Sequence, residues 1–379
     1  MIKSFEELGI KREIIEALQS LNIKEPTEVQ ELSIPLALEG KNIIGQSQTG
    51  TGKTLAYLVP VLQKVEEGKK EMQALIVAPT HELVAQINNE IVSLKQKGNL
   101  NITSTTLIGS GNLNRQIEKL KNKPNIIVGS AGRILELIKK KKIAAHTIKT
   151  IVLDEGDKLF DKKNLEIVKG IIKSTQKDTQ KLLFSATLGS KTLEIAKDLI
   201  GECEVIKVKE EDKVNSDIIH GYFIAENREK IDMLRKILHA EKNNKTIVFI
   251  GDSYNVDLAL SKLRFHKVKV EALHGEAKKA ERQKAIENFR KGKSNVLIAT
   301  DVAARGLDIK GITHVINLTM PRDKKDYLHR VGRVGRLGEV GIAYSLIDPR
   351  EEKIIKEFEK DLKINIPKKY IYKGEIIED

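Results

Sequence analysis

Ser47-Gln48-Thr49-Gly50-Thr51-Gly52-Lys53-Thr54 is flanked by the apolar pair Ile43-Ile44 and by Leu55-Ala56-Tyr57-Leu58-Val59. The glycines and hydroxyls therefore fall where a strand ends and a buried helix begins, the setting a phosphate-binding loop requires. Gly50 and Gly52 let backbone N–H groups close around an anion, and Lys53 supplies a point charge for the β and γ phosphates of a nucleotide. Thr54 offers a hydroxyl to Mg²⁺. The strict pattern has glycine where this chain has Ser47, and a solvated Gly/Thr-rich turn is the bland alternative.

Working outward, 379 residues suit two domains, each large enough to bury a core. Hydrophobic residues make up 40% and charged residues 31%, a globular balance, and no apolar run approaches the ~18 residues of a membrane span. The N-terminus interleaves charge with apolar residues, unlike a secretory signal, so a cytoplasmic location is expected. Cys203 is the only cysteine, which excludes an internal disulfide and a cysteine zinc site. The formal charge is +13, with 31 basic against 25 acidic residues in 1–208 and 35 against 28 in 209–379. Positive charge shared by both halves points to a polyanion lying across them. With no tryptophan and 4% aromatics, backbone contact is expected rather than base stacking.

Residues 11–21 place Ile14, Ile15, Leu18 and Leu21 at helical spacing. Short β-rich runs at 74–78, 102–107, 125–128, 150–154 and 181–185 then alternate with amphipathic helices, which predicts a parallel sheet wrapped by helices. The charged stretch 209–216 has little to bury and is the candidate linker between domains 1–208 and 217–379. The second half restarts the rhythm with strands at 218–224, 245–250, 268–272, 295–300, 313–318 and 341–347, without a second phosphate loop. A docking helix at 351–360 and a short polar tail close the chain.

Ile151-Val152-Leu153 ends in Asp154-Glu155-Gly156-Asp157, three carboxylates at the strand edge where α/β sheets bind ligands. Beside a phosphate loop, Asp154 suits Mg²⁺ and Glu155 suits the water attacking the γ-phosphate. A charged turn is the alternative. Ser185-Ala186-Thr187 follows a strand on the same expected edge, where its hydroxyls either bond a carboxylate such as Asp157 or cap the next helix. His329 to Arg336, HRVGRVGR, spaces Arg330, Arg333 and Arg336 three apart, a fork for phosphate reaching across a cleft, with a nucleic-acid backbone contact or a structural ion pair of Arg330 as competing uses.

In this order the motifs resemble the DEAD-box RNA helicases from Phe5 to the last helix. The resemblance implies two tandem RecA-like domains, each a mostly parallel sheet flanked by helices, acting as a monomer on ATP, Mg²⁺ and single-stranded or short-duplex RNA. It implies that Phe5 and Gln30, in the 26–30 segment PTEVQ, read the adenine and that Ser47 to Thr54 hold the phosphates. Asp308, in ATDVAARGLDI at 299–309, would contact the ribose, and Arg333 and Arg336 the γ-phosphate. His329 would couple to Asp157, Ser185 and Thr187. Thr80, Gly109, Arg133, Lys279, Arg282, Thr300 and Arg305 would lie on the RNA side.

The chain departs from the family at Gly156 in the tetrad, at His81 where a permanent cation is expected, at Ser110 between Gly109 and Gly111, at Ala131 where a proline is expected, and at Lys279 in place of glutamine. Glycine at 156 keeps the three carboxylates and adds backbone freedom. The ATP residues are kept, so the changes cluster on the RNA side and at 156. RNA-stimulated ATP hydrolysis with local separation of short duplexes is the leading expectation. An ATP-gated RNA clamp with weak unwinding is the second, and a DNA helicase the third. Nothing in the sequence names an RNA substrate, a pathway such as ribosome assembly or RNA decay, or a protein partner.

Overall fold

The computed structural model describes the chain except residues 1–3, 48–50, 162–163, 209–214, 242–244, 252–254, 274–278, 305–308, 310, 322, 336–338 and 379, with backbone alone at 279, 280, 302, 304 and 325. The chain divides into two compact units, Met1–Glu210 and Glu211–Asp379. The linker expected at 209–216 falls almost wholly outside the described residues.

Unit 1 carries β1 (Ile43–Gln46), β2 (Ala74–Val77), β3 (Ser104–Leu107), β4 (Ile126–Gly129), β5 (Thr150–Asp154), β6 (Gln180–Ser185) and β7 (Glu204–Lys207). They form one sheet in the order β3-β4-β2-β5-β6-β1-β7, every pairing parallel. Alternate strand residues enter opposite apolar layers. Ile43, Ile76, Val152 and Phe184 join the layer holding the helices Arg12–Gln19 and Lys53–Lys64. Ile44, Val77, Leu153 and Leu183 join the other. A sheet buried on both faces explains why its strands read as continuous apolar runs.

Unit 2 repeats the design with β8 (Ile218–Ile224), β9 (Thr246–Phe249), β10 (Val270–Leu273), β11 (Val296–Ala299), β12 (His314–Asn317) and β13 (Gly341–Ile347), in the order β10-β11-β9-β12-β13-β8. All these pairings are parallel too. No helix among the described residues is long and apolar enough to cross a membrane.

The polar tail is corrected by the structure. After the helix Glu352–Leu362 the chain forms an antiparallel hairpin, β14 (Lys369–Tyr372) and β15 (Glu375–Glu378), joined to β8 by a bridge between Tyr222 and Lys368. Its two-residue turn sets Lys373 at φ 50° and Gly374 at φ 86°. Positive φ at both positions matches the right-handed twist of hairpin strands. Ile371 and Ile376 pack onto unit 2, whereas Tyr370 and Tyr372 face outward.

Candidate active site and nucleic-acid interface

In unit 1 the site residues follow the carboxyl ends of the strands. The phosphate loop leaves β1 and enters the helix Lys53–Lys64, whose N-cap Gly52 has φ 92°. That conformation suits glycine, and a Cβ there would lie 2.3 Å from the Gln30 amide nitrogen. Gln30 is buried. Its Nε2 donates to the Gly52 carbonyl at 2.9 Å, and its Oε1 accepts from the Thr27 N–H at 3.0 Å. Gln30 thus ties the helix Glu28–Leu38 to the phosphate loop, and an adenine contact would require one of these bonds to be exchanged. Phe5 is 2% exposed and sits in the apolar core. A ring so enclosed packs the N-terminal segment onto the core of unit 1.

Ser47 and Thr51 share a hydroxyl–hydroxyl bond of 2.6 Å, and Lys53 Nζ donates to the Ser47 carbonyl. Burial lowers the Lys53 ammonium to about 8, opposed by Asp154, Glu155 and Asp157. Asp154, at the end of β5, is held from two sides: its Oδ2 accepts from the Tyr57 hydroxyl at 2.8 Å and its Oδ1 from the Glu155 N–H at 2.9 Å. Burial raises its carboxyl to about 6, partly opposed by the Tyr57 hydroxyl and Lys53. Tyr57 was legible only as an apolar helix residue, although its spacing of three from Thr54 puts both on one helix face.

Glu155 adopts φ 52°, ψ 54°, a left-handed conformation unusual for a side-chain-bearing residue and typical of strained functional positions. Its carboxylate is met by Lys158 Nζ from the short helix Gly156–Leu159. The positive φ lies at Glu155 and not at Gly156, so backbone freedom does not explain the glycine. A Cβ at 156 would lie 3.1 Å from the Leu183 side chain on β6, which would have to give by a few tenths of an ångström to admit it. Asp157 bridges to β6. Ser185 Oγ donates to Asp157 Oδ1 at 2.7 Å, Thr187 Oγ1 donates to Oδ2 at 3.1 Å, and the Asp157 N–H donates to Ser185 Oγ at 3.3 Å.

The donors near the loop, Thr54 and Asp154, are hard oxygens. No group of three or more His, Cys, Asp or Glu side chains that could hold a metal occurs among the described residues. Hard oxygens are the donors Mg²⁺ takes, one or two from the protein and the rest from phosphate and water.

The residues expected on the RNA side gather at the other half of the same edge, after β2, β3 and β4. Thr80 caps the helix His81–Lys97 by accepting from the Leu83 N–H at 3.2 Å. His81 Nδ1 lies 3.3 Å from Ser110 Oγ, so two departures from the family touch each other. Arg133 is 9% exposed, and its guanidinium donates to the carbonyls of Gly109 at 2.7 Å and Gly111 at 3.2 Å while pairing with Glu136. In this position it braces the 109–111 loop.

In unit 2, Arg330 is 4% exposed and forks onto Asp301, with both N–H···O bonds at 2.7 Å. It also donates to Asn317 Oδ1 at 3.1 Å and the Thr319 carbonyl at 2.7 Å, and lies 5.1 Å from the Phe249 ring centre. Of the three evenly spaced arginines, this one is structural. Arg333 follows the helix Lys324–Val331, which carries His329 and Arg330 in its last turn. Thr300 Oγ1 accepts from the Ala303 N–H at 3.3 Å, and Arg282 donates to the Ala303 carbonyl at 2.9 Å, so both shape the segment after β11. Gln48, Thr49, Gly50, Arg305, Asp308, Arg336 and the Lys279 side chain lie outside the described residues.

The two sheets and the loop, carboxylate and hydroxyl elements at their edges agree with two family models. DEAD/DEAH box helicase matches residues 27–195 and helicase conserved C-terminal domain matches 229–338. The chain belongs to the DEAD-box helicases. The DEAD-box ATP-dependent RNA helicase CshC of Bacillus cereus is 44% identical over 96% of this chain and 92% of its own length. The probable ATP-dependent RNA helicase YfmL of Bacillus subtilis is 43% identical over 90% of each. Dbp5 of S. cerevisiae, solved bound to RNA and ADP BeF3, superposes with a TM-score of 0.82 at 30% identity, covering 97% of this chain and 95% of that one.

Proposed function

We propose that this chain is an ATP-dependent RNA helicase that hydrolyses ATP in response to RNA and separates short duplexes or remodels RNA–protein complexes. The observation that carries the reading is the convergence at one sheet edge of Lys53, the Tyr57-held Asp154, the left-handed Glu155 and the Asp157–Ser185–Thr187 bridge. Lys53 meets the β and γ phosphates, and Glu155 orients the attacking water and accepts its proton. Thr54 and Asp154 would hold Mg²⁺, which when bound offsets charge on the phosphates. Asp157, bonded to the segment after β6, would link the hydrolytic carboxylates to movement of that segment. Arg333 and Arg336 supply cations for the transferring phosphoryl group. The single cysteine fits a cytoplasmic, reducing setting.

A second reading, an ATP-gated RNA clamp with weak unwinding, is favoured by the His81–Ser110 pair, which stands at the RNA-side edge where the family has a permanent cation. ATPase activity with and without RNA, together with unwinding of a short duplex, tests both. Helicase action requires RNA-stimulated turnover and strand release. A clamp retains RNA with ATP and releases no strand. Lys53→Ala should abolish turnover, and Glu155→Gln should keep ATP bound while blocking hydrolysis. Normal ATPase in Lys53→Ala would end the nucleotide assignment.

A further inference from the structure

The strongest feature outside the proposed site is a basic trough on unit 2. A cavity of about 500 Å³ lies between the end of the helix Lys230–Ala240 and the C-terminal hairpin, lined by Arg235, Lys236, Lys368, Lys369 and Lys373. A second, of about 530 Å³, shares Arg235 and His239 with the first and continues to His266, Lys267 and Lys269. Among the described residues, no carboxylate lines either cavity. Lys369 is paired with Glu378. Arg235 Nε is buried without a hydrogen-bond partner, an arrangement that a phosphate oxygen would complete.

Position separates the second cavity from the residues expected to serve ATP and RNA. Residues 268–269 and 295 immediately precede β10 and β11, so they lie at the amino edge of the sheet, whereas Thr300, Asp301 and Thr319 follow β11 and β12 at the carboxyl edge. The hairpin stands at the β8 border and residues 266–269 at the β10 border of the six-stranded sheet. Five strand spacings of about 4.8 Å separate those borders, roughly 24 Å, enough for several nucleotides.

The aromatic residues choose among anionic partners. Of the described phenylalanines and tyrosines, those exposed are Phe265 at 83%, Tyr372 at 60% and Tyr370 at 37%. Tyr370 lines the first cavity, and Phe265 and Tyr372 are the chain neighbours of the lining residues His266 and Lys373. Phe265 packs edge-on against His266 at 5.2 Å, and Tyr370 and Tyr372 share the outer face of the hairpin. Lys368 and Lys373 sit over their rings at 5.1 and 5.3 Å. Cations that track a backbone, interleaved with exposed rings on which bases stack, fit single-stranded nucleic acid better than a free anion or an acidic peptide.

We propose that the trough between the C-terminal hairpin, the end of the helix Lys230–Ala240 and residues 265–269 is a second RNA-binding surface, holding a single-stranded segment of the same RNA independently of ATP. The identity of the polymer rests on the helicase reading; the anion site rests on the trough alone. Its effect is to tether a long RNA while the carboxyl-edge site acts on another part of it.

The test compares RNAs of about 10 and about 30 nucleotides on the full chain. Lys236→Gln/Lys269→Gln should weaken nucleotide-free binding of the longer RNA about tenfold and shrink its salt slope by about 1.4, the value for two lost phosphate contacts. Phe265→Ala/Tyr372→Ala should weaken it at least about fivefold with the slope unchanged. ATPase stimulated by the short RNA stays at the wild-type level in both, which also shows that they fold. Protection of Lys236 and Lys269 from acetylation by the longer RNA reads the trough directly, so it holds even if RNA fails to stimulate ATPase and the helicase reading falls. Unchanged affinity in both double variants, equal losses for short and long RNA, or lysines unprotected by RNA but protected by an acidic peptide would each overturn the proposal.

Discussion

The Tyr57 hydroxyl donates to Asp154 Oδ2 at 2.8 Å, joining the first helix after the phosphate loop to the carboxylate that ends β5. Both residues are buried, so the bond fixes one rotamer of Asp154 and keeps one lone pair from being left unmet. The carboxylate's other oxygen, held by a backbone N–H, is fixed as well. The candidate Mg²⁺ ligand is preorganised before any nucleotide arrives.

Tyr57→Phe keeps the ring and removes only this bond. It should destabilise unit 1 by about 1–3 kcal/mol, the cost of a buried acceptor losing its donor. Because Asp154 is no longer held, turnover should fall while the Tyr57→Phe protein still binds ATP through Lys53. Thermal unfolding and steady-state ATPase check both parts, and wild-type values in each would show that the bond does not position Asp154.

The alternation of apolar runs and amphipathic helices made both parallel sheets legible, because strands buried on both faces leave no polar positions to blur them. The hairpin was illegible for the opposite reason: it keeps Tyr370, Tyr372, Lys373 and Glu375 in solvent, so the segment reads as a tail. Its one signal was Lys373-Gly374 between two alternating runs. In the site, residue types announced Lys53, Asp154 and Glu155, yet sequence spacing could not tell an arginine facing a ligand from one turned inward. Arg330 and Arg133 both point into the protein because Asp301 and the carbonyls of Gly109 and Gly111 come from distant parts of the chain. Tyr57 and Lys158 were missed because their partners become visible only once β5 and its neighbouring helices are assembled.

Unit 2 should be sensitive to acid through His220. The ring is 5% exposed, its Nδ1 lies 2.7 Å from the Tyr327 hydroxyl, and burial lowers its pKa to about 4. Above about pH 6.5 both the folded and unfolded forms hold it neutral, and the full stability is present. As pH falls from 6.5 toward 4, the unfolded chain takes up a proton that the folded unit does not. Stability then drops by up to about 1.4 kcal/mol per pH unit, roughly 3 kcal/mol across the window. Burial lowers His314 as well, against the pull of Glu241, and adds in the same direction. Urea unfolding at several pH values should show a shallower pH dependence in His220→Phe, although that variant is less stable at neutral pH. An unchanged slope would remove His220 as the cause.

Arg133 and Arg333 should separate bracing from direct action when each is changed to alanine. Arg133 gives two N–H groups to the carbonyls of Gly109 and Gly111, so its loss frees the loop without removing a cation from an RNA phosphate. Arg133→Ala should weaken RNA binding and lower the stability of unit 1 by about 1 kcal/mol, the net worth of hydrogen bonds to carbonyls that water can reach. The salt slope of RNA binding should stay where it was, because a slope changes only when a phosphate contact is lost. Arg333→Ala should instead lower ATP turnover by about 10³-fold or more, with nucleotide-free RNA binding and its slope nearly unchanged, the signature of a cation acting on the transferring phosphoryl group. Its neighbour Arg330 cannot substitute, since its guanidinium is held by Asp301, Asn317 and Thr319. Two titrations of RNA against salt and one ATPase measurement decide the matter. A slope reduced by about one in Arg133→Ala would restore a direct phosphate contact there. Normal turnover with weakened RNA binding in Arg333→Ala would move that residue from the nucleotide to the nucleic acid.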